Sequence, residues 1–176
     1  MDTYIGIDLG TSGVKLLLVD EQGNILKEVS KTYPCIQIKE NYSEQNPELW
    51  YKSTMEALKE LVHQQNKDSI RAISFGGQMH GLVLLDESDH VLRPAILWND
   101  SRAIDETNYL NNEIGKKIIS SYTGNIAFAG FTAPKILWVY HNEKEIFDRI
   151  RKIMLPKDYL IYQFTGIFAT DTSDAS

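Results

Sequence analysis

The sequence contains a single cysteine, Cys35, so no disulfide within the chain can brace the fold. It has no run of Lys and Arg either. The balance of 18 Lys plus Arg against 24 Asp plus Glu leaves a formal charge of -6, which argues against a nucleic-acid backbone as partner. No stretch approaches the ~20 apolar residues that span a bilayer. The opening "MDTYIGID" lacks the basic flank and apolar run of a secretory signal. Internal repeats, low-complexity segments and the lysine-containing strand-to-helix phosphate loop are all missing. These absences lead to the expectation of a soluble protein in a reducing, cytoplasmic setting, with neither a membrane nor nucleic acid as partner. What is present is the material of an ordinary globular core: 43% hydrophobic and 10% aromatic residues in a chain of 176.

Hydrophobic patterning divides the chain in two. "TYIGID", "VKLLLVD" and "ILKEVSKTY" are rich in β-branched and aliphatic residues, and "GTSG" and "DEQGN" between them supply turn chemistry, so residues 4 to 34 predict an antiparallel three-stranded meander. Asn46 and Pro47 then form a cap and first-turn pair. Trp50, Thr54, Ala57, Leu58, Leu61 and Val62 follow at helical spacing. "IRAISF" reads as a buried strand opening into a loop at Gly76 and Gly77, and the helix before it implies a crossover and a partly parallel sheet. "GLVLLDESDHVLRPAILW" predicts two further strands around an acidic turn. From about Arg102 the pattern is mostly helical, with "KIMLP" as a short strand, and "FATDTSDAS" is polar loop material.

Two constellations carry chemistry. In "DLGTSG" a strand ends in Asp8 and turns through Gly10, Thr11, Ser12 and Gly13, which places backbone NH groups and two hydroxyls beside a carboxylate. The NH groups and hydroxyls suit phosphate oxygens. The carboxylate would repel them unless a Mg²⁺ lies between, held through its own waters. A plain β-turn uses the same residue types, so the hexapeptide alone leaves both readings open. In "SFGGQMHG" two glycines at a strand's carboxyl end allow close backbone approach, and Gln78 and His80 stand where α/β sheets bind ligands. Taken singly, His80 reads as a packed or loop histidine and Met79 as packing.

"YIGIDLGTSGVK", "YSEQNPELWY", "SFGGQMHG", "RPAILWNDSR", "GFTAPKILWV" and "LPKDYLIYQFTG" occur in the order and approximate spacing found at the start of the FGGY carbohydrate kinases, and the chain resembles that family over essentially its whole length. The opening motif is shared across the actin-like ATPases. "GGQMHG" with "ILWNDSR" and "GFTAPK" is sharper and resembles the branch that phosphorylates D-xylulose.

The resemblance implies an α/β fold of the actin-like (ribonuclease H-like) ATPase type, a mixed sheet with an antiparallel N-terminal meander and flanking helices. It implies that residues 1–176 are an incomplete first domain, with the catalytic aspartate base and most of the adenosine pocket lying beyond them. The implied reaction is ATP-dependent phosphorylation of a sugar hydroxyl, D-xylulose to D-xylulose 5-phosphate. ATP and Mg²⁺ are the implied cofactors, small-molecule sugar and ATP the partners, and a homodimer of the complete protein is compatible with this reading. Asp8 would organise Mg²⁺ and the transferring phosphate; Gly10, Thr11, Ser12 and Lys15 would meet the phosphates; Gln78, Met79 and His80 would meet the sugar. Trp98, Asp100 and Arg102 would sit near the cleft without an assigned role, Trp98 reading as core and Asp100 with Arg102 as a local ion pair of little energetic value. Lys157 and Asp158 resemble a helix start, and Asp171 and Asp174 are not promoted to catalytic base. Two other readings stand beside this one: an FGGY kinase for another polyol, ketose or sugar acid, and a non-catalytic sugar- or nucleotide-binding module.

Overall fold

The computed structural model describes residues 1–174; Ala175 and Ser176, the last of the polar tail, lie outside the described residues. Strands β1 (Thr3–Leu9), β2 (Gly13–Asp20) and β3 (Ile25–Thr32) form the expected antiparallel meander. The first strand runs one residue further than the sequence suggests, to Leu9, and Asp8 lies within it, paired in register with Lys15. Alternation decides the faces. Ile5, Ile7, Leu9, Val14, Leu16 and Leu18 are buried on one side, while Tyr4, Asp8 and Lys15 are exposed on the other.

Helix α1 (Pro47–Leu61) covers the apolar face. Asn46 caps it by accepting a hydrogen bond from the Glu48 amide at 3.0 Å, and Pro47 fills the first turn, where its missing NH costs nothing. Trp50, Ala57 and Leu61 are fully buried against the sheet, and Leu58 packs at the margin of the same cluster. The chain then crosses to β5 (Ile70–Gly77), which runs parallel to β1 and gives the order β3-β2-β1-β5. A buried strand was expected here. β5 instead lies at the sheet's edge, among the described residues, and Ala72, Ile73, Ser74 and Gly76 are exposed.

Short strand β4 (Glu44–Gln45) pairs with β7 (Ala95–Ile96), and β6 (Val83–Leu85) pairs with β8 (Lys152–Met154). These small sheets back onto helices α4 (Thr132–Asn142) and α6 (Pro156–Thr165), which carry a second apolar cluster around Leu82, Leu84, Ile96 and Val139 and extend the first through Tyr159 and Leu160. The helical stretch after Arg102 is broken into α2 (Ile104–Asn108), a π-helical turn over Tyr109–Gly115 and α3 (Lys116–Thr123); the break falls at Gly115, whose φ of 102° no helix accommodates. Helix α5 (Lys144–Phe147) is a single turn. No helix of the described residues is long and apolar enough to cross a membrane.

Candidate active site

Because β1 and β5 are parallel neighbours, their carboxyl ends open side by side, and the two motifs found in the sequence meet there. The β1–β2 hairpin is closed by the Gly10 amide donating to the Gly13 carbonyl at 2.9 Å. Gly13 has no substitute: a Cβ would lie 2.5 Å from the Lys31 carbonyl of the neighbouring strand. Tyr33, at the end of β3, donates its hydroxyl to the Gly10 carbonyl at 2.5 Å. Burial and the nearby Asp8 carboxylate push that hydroxyl's pKa up, so it remains a donor across the physiological range.

The Asp8 carboxylate makes no hydrogen bond or ion pair with the described residues. It borders an open hollow of about 430 Å³ shared with Gly6, Lys15, Ser74 and Gly76. At Gly6 and Gly76 a Cβ would meet nothing within 4 Å, so the floor of this hollow is bare backbone rather than packed side chains. No group of three or more His, Cys, Asp or Glu capable of holding a metal exists among the described residues. A lone exposed carboxylate on an uncovered sheet face fits a cation held through its hydration shell, not one caged by protein ligands. Lys15 turns toward Glu28, 3.0 Å away, with both side chains about half exposed.

A hydrogen-bonded chain ties the hairpin to the second loop. Thr11 Oγ1 accepts from the Trp98 indole at 2.9 Å and donates to Gln78 Oε1 at 3.3 Å. Gln45 Nε2 donates to the Thr11 carbonyl at 2.6 Å, and its Oε1 accepts from the Trp50 indole at 3.0 Å and from Gln78 at 3.4 Å. The Gln78 amide donates to the Leu9 carbonyl at 2.7 Å. Trp98, expected in the core, is instead 49% exposed and faces this junction. Met79, which taken singly reads as packing and by the resemblance as a sugar contact, is 46% exposed. Gln45 escaped notice in the sequence, where it stands in "YSEQNP" with no signal beyond its place before a helix cap.

His80 adopts φ 61°, the left-handed region, and its ring stacks on Phe131 at 4.3 Å. Burial, and next the Lys135 ammonium, hold its pKa below the usual histidine value, while Asp174 pulls the other way. The ring is therefore neutral at physiological pH, able to donate at one nitrogen and accept at the other. His80 also borders a mostly aliphatic cavity of about 410 Å³ with Ile119, Ile136, Met154 and Asp158. Thr123, Asn125, Thr132, Thr170 and Asp174 add polar groups to that lining.

The Asp100–Arg102 pair is not the exposed contact that its spacing suggests. Arg102 binds both oxygens of Asp100 at 2.7–3.0 Å, and the two side chains are 1% and 0% exposed. Arg102 also reaches Glu44 at 2.6 Å, Glu44 meets Arg93 at 2.5 Å, and Asp100 accepts the Ser43 amide at 2.6 Å. This buried network fastens the loop carrying Trp98 to the strand carrying Gln45. Lys157 and Asp158 do open α6, as their helix-start pattern suggests. Lys157 pairs with Asp171 and with Asp174, while burial raises the pKa of the Asp158 carboxyl.

Residues 3–176 match the family model described as the FGGY family of carbohydrate kinases, N-terminal domain. The chain belongs to that family. The xylulose kinase of Bacillus subtilis strain 168 is 48% identical over 178 residues, which cover 100% of this chain and 36% of that protein. The xylulose kinase of Escherichia coli K12 is 47% identical over 173 residues, covering 98% and 35%. The ligand-bound xylulose kinase of Lactobacillus acidophilus, a solved structure, superposes with a TM-score of 0.91 at 31% identity over 99% of this chain and 36% of its own. The fold of this FGGY chain is accordingly that of the actin-like ATPases. The chain spans about a third of the length of these relatives.

Proposed function

We propose that these 176 residues form the N-terminal part of a kinase that transfers the γ-phosphoryl group of ATP to a hydroxyl of D-xylulose, giving D-xylulose 5-phosphate. The observation that carries the reading is the junction at Thr11, whose single hydroxyl links the phosphate-type hairpin to Gln78 of the loop that also bears His80. Phosphoryl transfer is mostly positioning and charge stabilisation, so two binding elements fixed to one another across a hydrogen bond are what the reaction asks of this part of the protein. The choice of D-xylulose over other sugars rests on the 42–48% identity to curated xylulose kinases across the chain.

Asp8 would hold a Mg²⁺ through its hydration waters near the transferring phosphate, and the free carboxylate over the bare Gly6–Gly76 floor supports that role. Mg²⁺ supplies neutralisation of the charge that develops on the phosphoryl oxygens. The backbone at Gly10, with Thr11 and Ser12, receives phosphate oxygens, and Lys15 leaves its exposed partner Glu28 to join them. Gln78 and the neutral His80 ring hydrogen-bond sugar hydroxyls, and the exposed Met79 side chain lies against the carbon skeleton. Asp171 and Asp174 are both engaged by Lys157 and are not assigned as the proton acceptor. A reaction that consumes ATP and yields a free sugar phosphate supports a cytoplasmic setting.

The test is ADP release by the complete protein with Mg-ATP and a panel of ketoses, polyols and aldonates. D-xylulose should give the highest kcat/KM, with turnover in the range of about 1–100 per second typical of kinases. A polyol or aldonate preferred over D-xylulose would move the protein to another branch. Absence of any sugar-dependent release would leave a binding module.

A further inference from the structure

We infer that Lys135 is a positioning residue for the sugar, its ammonium fixing the backbone of His80 and of Gly130 so that the imidazole is aimed at the substrate. Lys135 belongs to "GFTAPK", a motif to which neither the hairpin nor the sugar loop gives a task. Its side chain lies in the first turns of α4 and is 0% exposed, so it cannot touch substrate itself. Its Nζ donates to the His80 carbonyl at 2.7 Å and to the Gly130 carbonyl at 2.6 Å. Thr132, also on α4, donates its hydroxyl to the same His80 carbonyl at 3.3 Å.

The two carbonyls belong to the two loops that build the sugar side of the junction. His80 is held at φ 61°, a conformation that a residue with a Cβ keeps only when its surroundings enforce it. Two donors converging on its carbonyl do so, while Phe131 fixes the ring from the side. Gly130 packs so closely on the Trp98 loop that a Cβ would fall 2.5 Å from the Trp98 carbonyl. Lys135 therefore couples the placement of His80 to that of Trp98.

An ammonium buried without a carboxylate at ion-pair distance is costly, and burial draws its pKa down to about 7. An aliphatic side chain of similar length would fill the same space without desolvating a charge. The amino group is thus there for its donors, two of which are spent on the backbone of the site.

The inference rests on the proposed kinase reading, and steady-state kinetics of the complete protein separate the two. Lys135→Met should raise the KM for D-xylulose about ten- to a hundredfold, the scale of losing two buried hydrogen bonds, while the KM for Mg-ATP stays within about twofold. In a His80→Ala background the same substitution should add almost nothing, because its effect passes through the ring. A merely structural lysine would lower the folded fraction, read by circular dichroism, and leave the sugar KM of the folded enzyme unchanged. That result, or full additivity with His80→Ala, overturns the inference while the kinase reading stands. Should Lys135→Met not fold, Thr132→Val decides: a sugar KM raised a few-fold supports the clamp, and an unchanged one overturns it. Wild-type protein with no sugar-dependent turnover removes the kinase reading and this inference together.

Discussion

The two halves of the junction are built on opposite principles. The β1–β2 hairpin presents its chemistry through backbone and an uncommitted carboxylate: Asp8 is unpaired, Ser12 is exposed, and the glycines around them leave the sheet bare. The sugar side is held by charges out of water. The side chains of Lys135, Asp100, Arg102, Glu44 and Arg93 are all buried, and each has at least one partner on a distant segment of the chain. The difference follows from the ligands each side is proposed to meet. Phosphates bring their own charge and counter-ion, so a fixed turn suffices; a neutral sugar is distinguished only by the angles of its hydroxyls, so the groups that read it must be held rigidly.

The comparison breaks if the buried network proves dispensable. Arg102→Met removes the guanidinium from between Asp100 and Glu44 and leaves two carboxylates in a space closed to solvent. The expected loss is about 3–5 kcal/mol of folding stability, measured by denaturant unfolding. A loss below about 1 kcal/mol would place this network with the exposed ion pairs and end the contrast with the hairpin.

The halves should also fail differently in the complete protein. Asp8→Ala should lower kcat by about 10²–10³, the scale of removing one charge-stabilising group from a phosphoryl-transfer site, with sugar affinity intact. His80→Ala should instead weaken sugar binding by about 1–3 kcal/mol, the cost of a sugar hydroxyl left unpaired. Calorimetry with D-xylulose in the absence of ATP separates them. Equal sugar affinity in wild type and His80→Ala would remove His80 from the sugar side.

How much was legible in the sequence follows the same division. The meander, the Asn46–Pro47 helix start and the crossover to β5 announce themselves through local periodicity and turn residues, which are properties of neighbouring positions. The Asp8 hairpin is readable for the same reason. Trp98, Gln45, Lys135 and the depth of the Asp100–Arg102 pair were misread or missed because their surroundings are set by partners 34 to 87 positions away. A Trp in an apolar run looks like core, and an Asp and Arg two apart look like a surface pair, until the loop that carries both is folded onto β4. β5 was misjudged in another way: its composition reports what it can bury, not which neighbours are present along its edge.

Lys135 gives the comparison a pH signature. Its pKa is about 7 in the folded chain against 10.5 for a free lysine, lowered first by burial and then by Arg102, with Asp100 opposing. Between these values the unfolded chain holds a proton that the folded chain has released. Stability therefore rises with pH across the interval, and below about 7 the full cost of the buried charge is felt. The difference in unfolding free energy between wild type and Lys135→Met should shift in favour of wild type as pH climbs from about 7 to about 10. Parallel profiles would show that the two carbonyls offset the burial completely.

The smallest expected effect belongs to Lys15, and it tests the hairpin side alone. The residue shares the open face with Asp8, its register partner, and its ammonium lies 3.0 Å from Glu28 with both side chains near half exposure. Such a pair contributes about 0–1 kcal/mol, so Lys15→Ala should change stability by no more than that, and added salt should weaken even this. Releasing Lys15 to a phosphate is correspondingly cheap, and the gain is limited because the ammonium stays largely in water. The substitution should raise the KM for Mg-ATP about two- to fivefold, with the sugar KM unmoved. An unchanged KM for Mg-ATP would leave Lys15 with Glu28 and reduce the charged groups of the hairpin to Asp8. A rise of a hundredfold would mean that the ammonium is enclosed when the site closes, and the hairpin would then depend on a buried charge as the sugar side does.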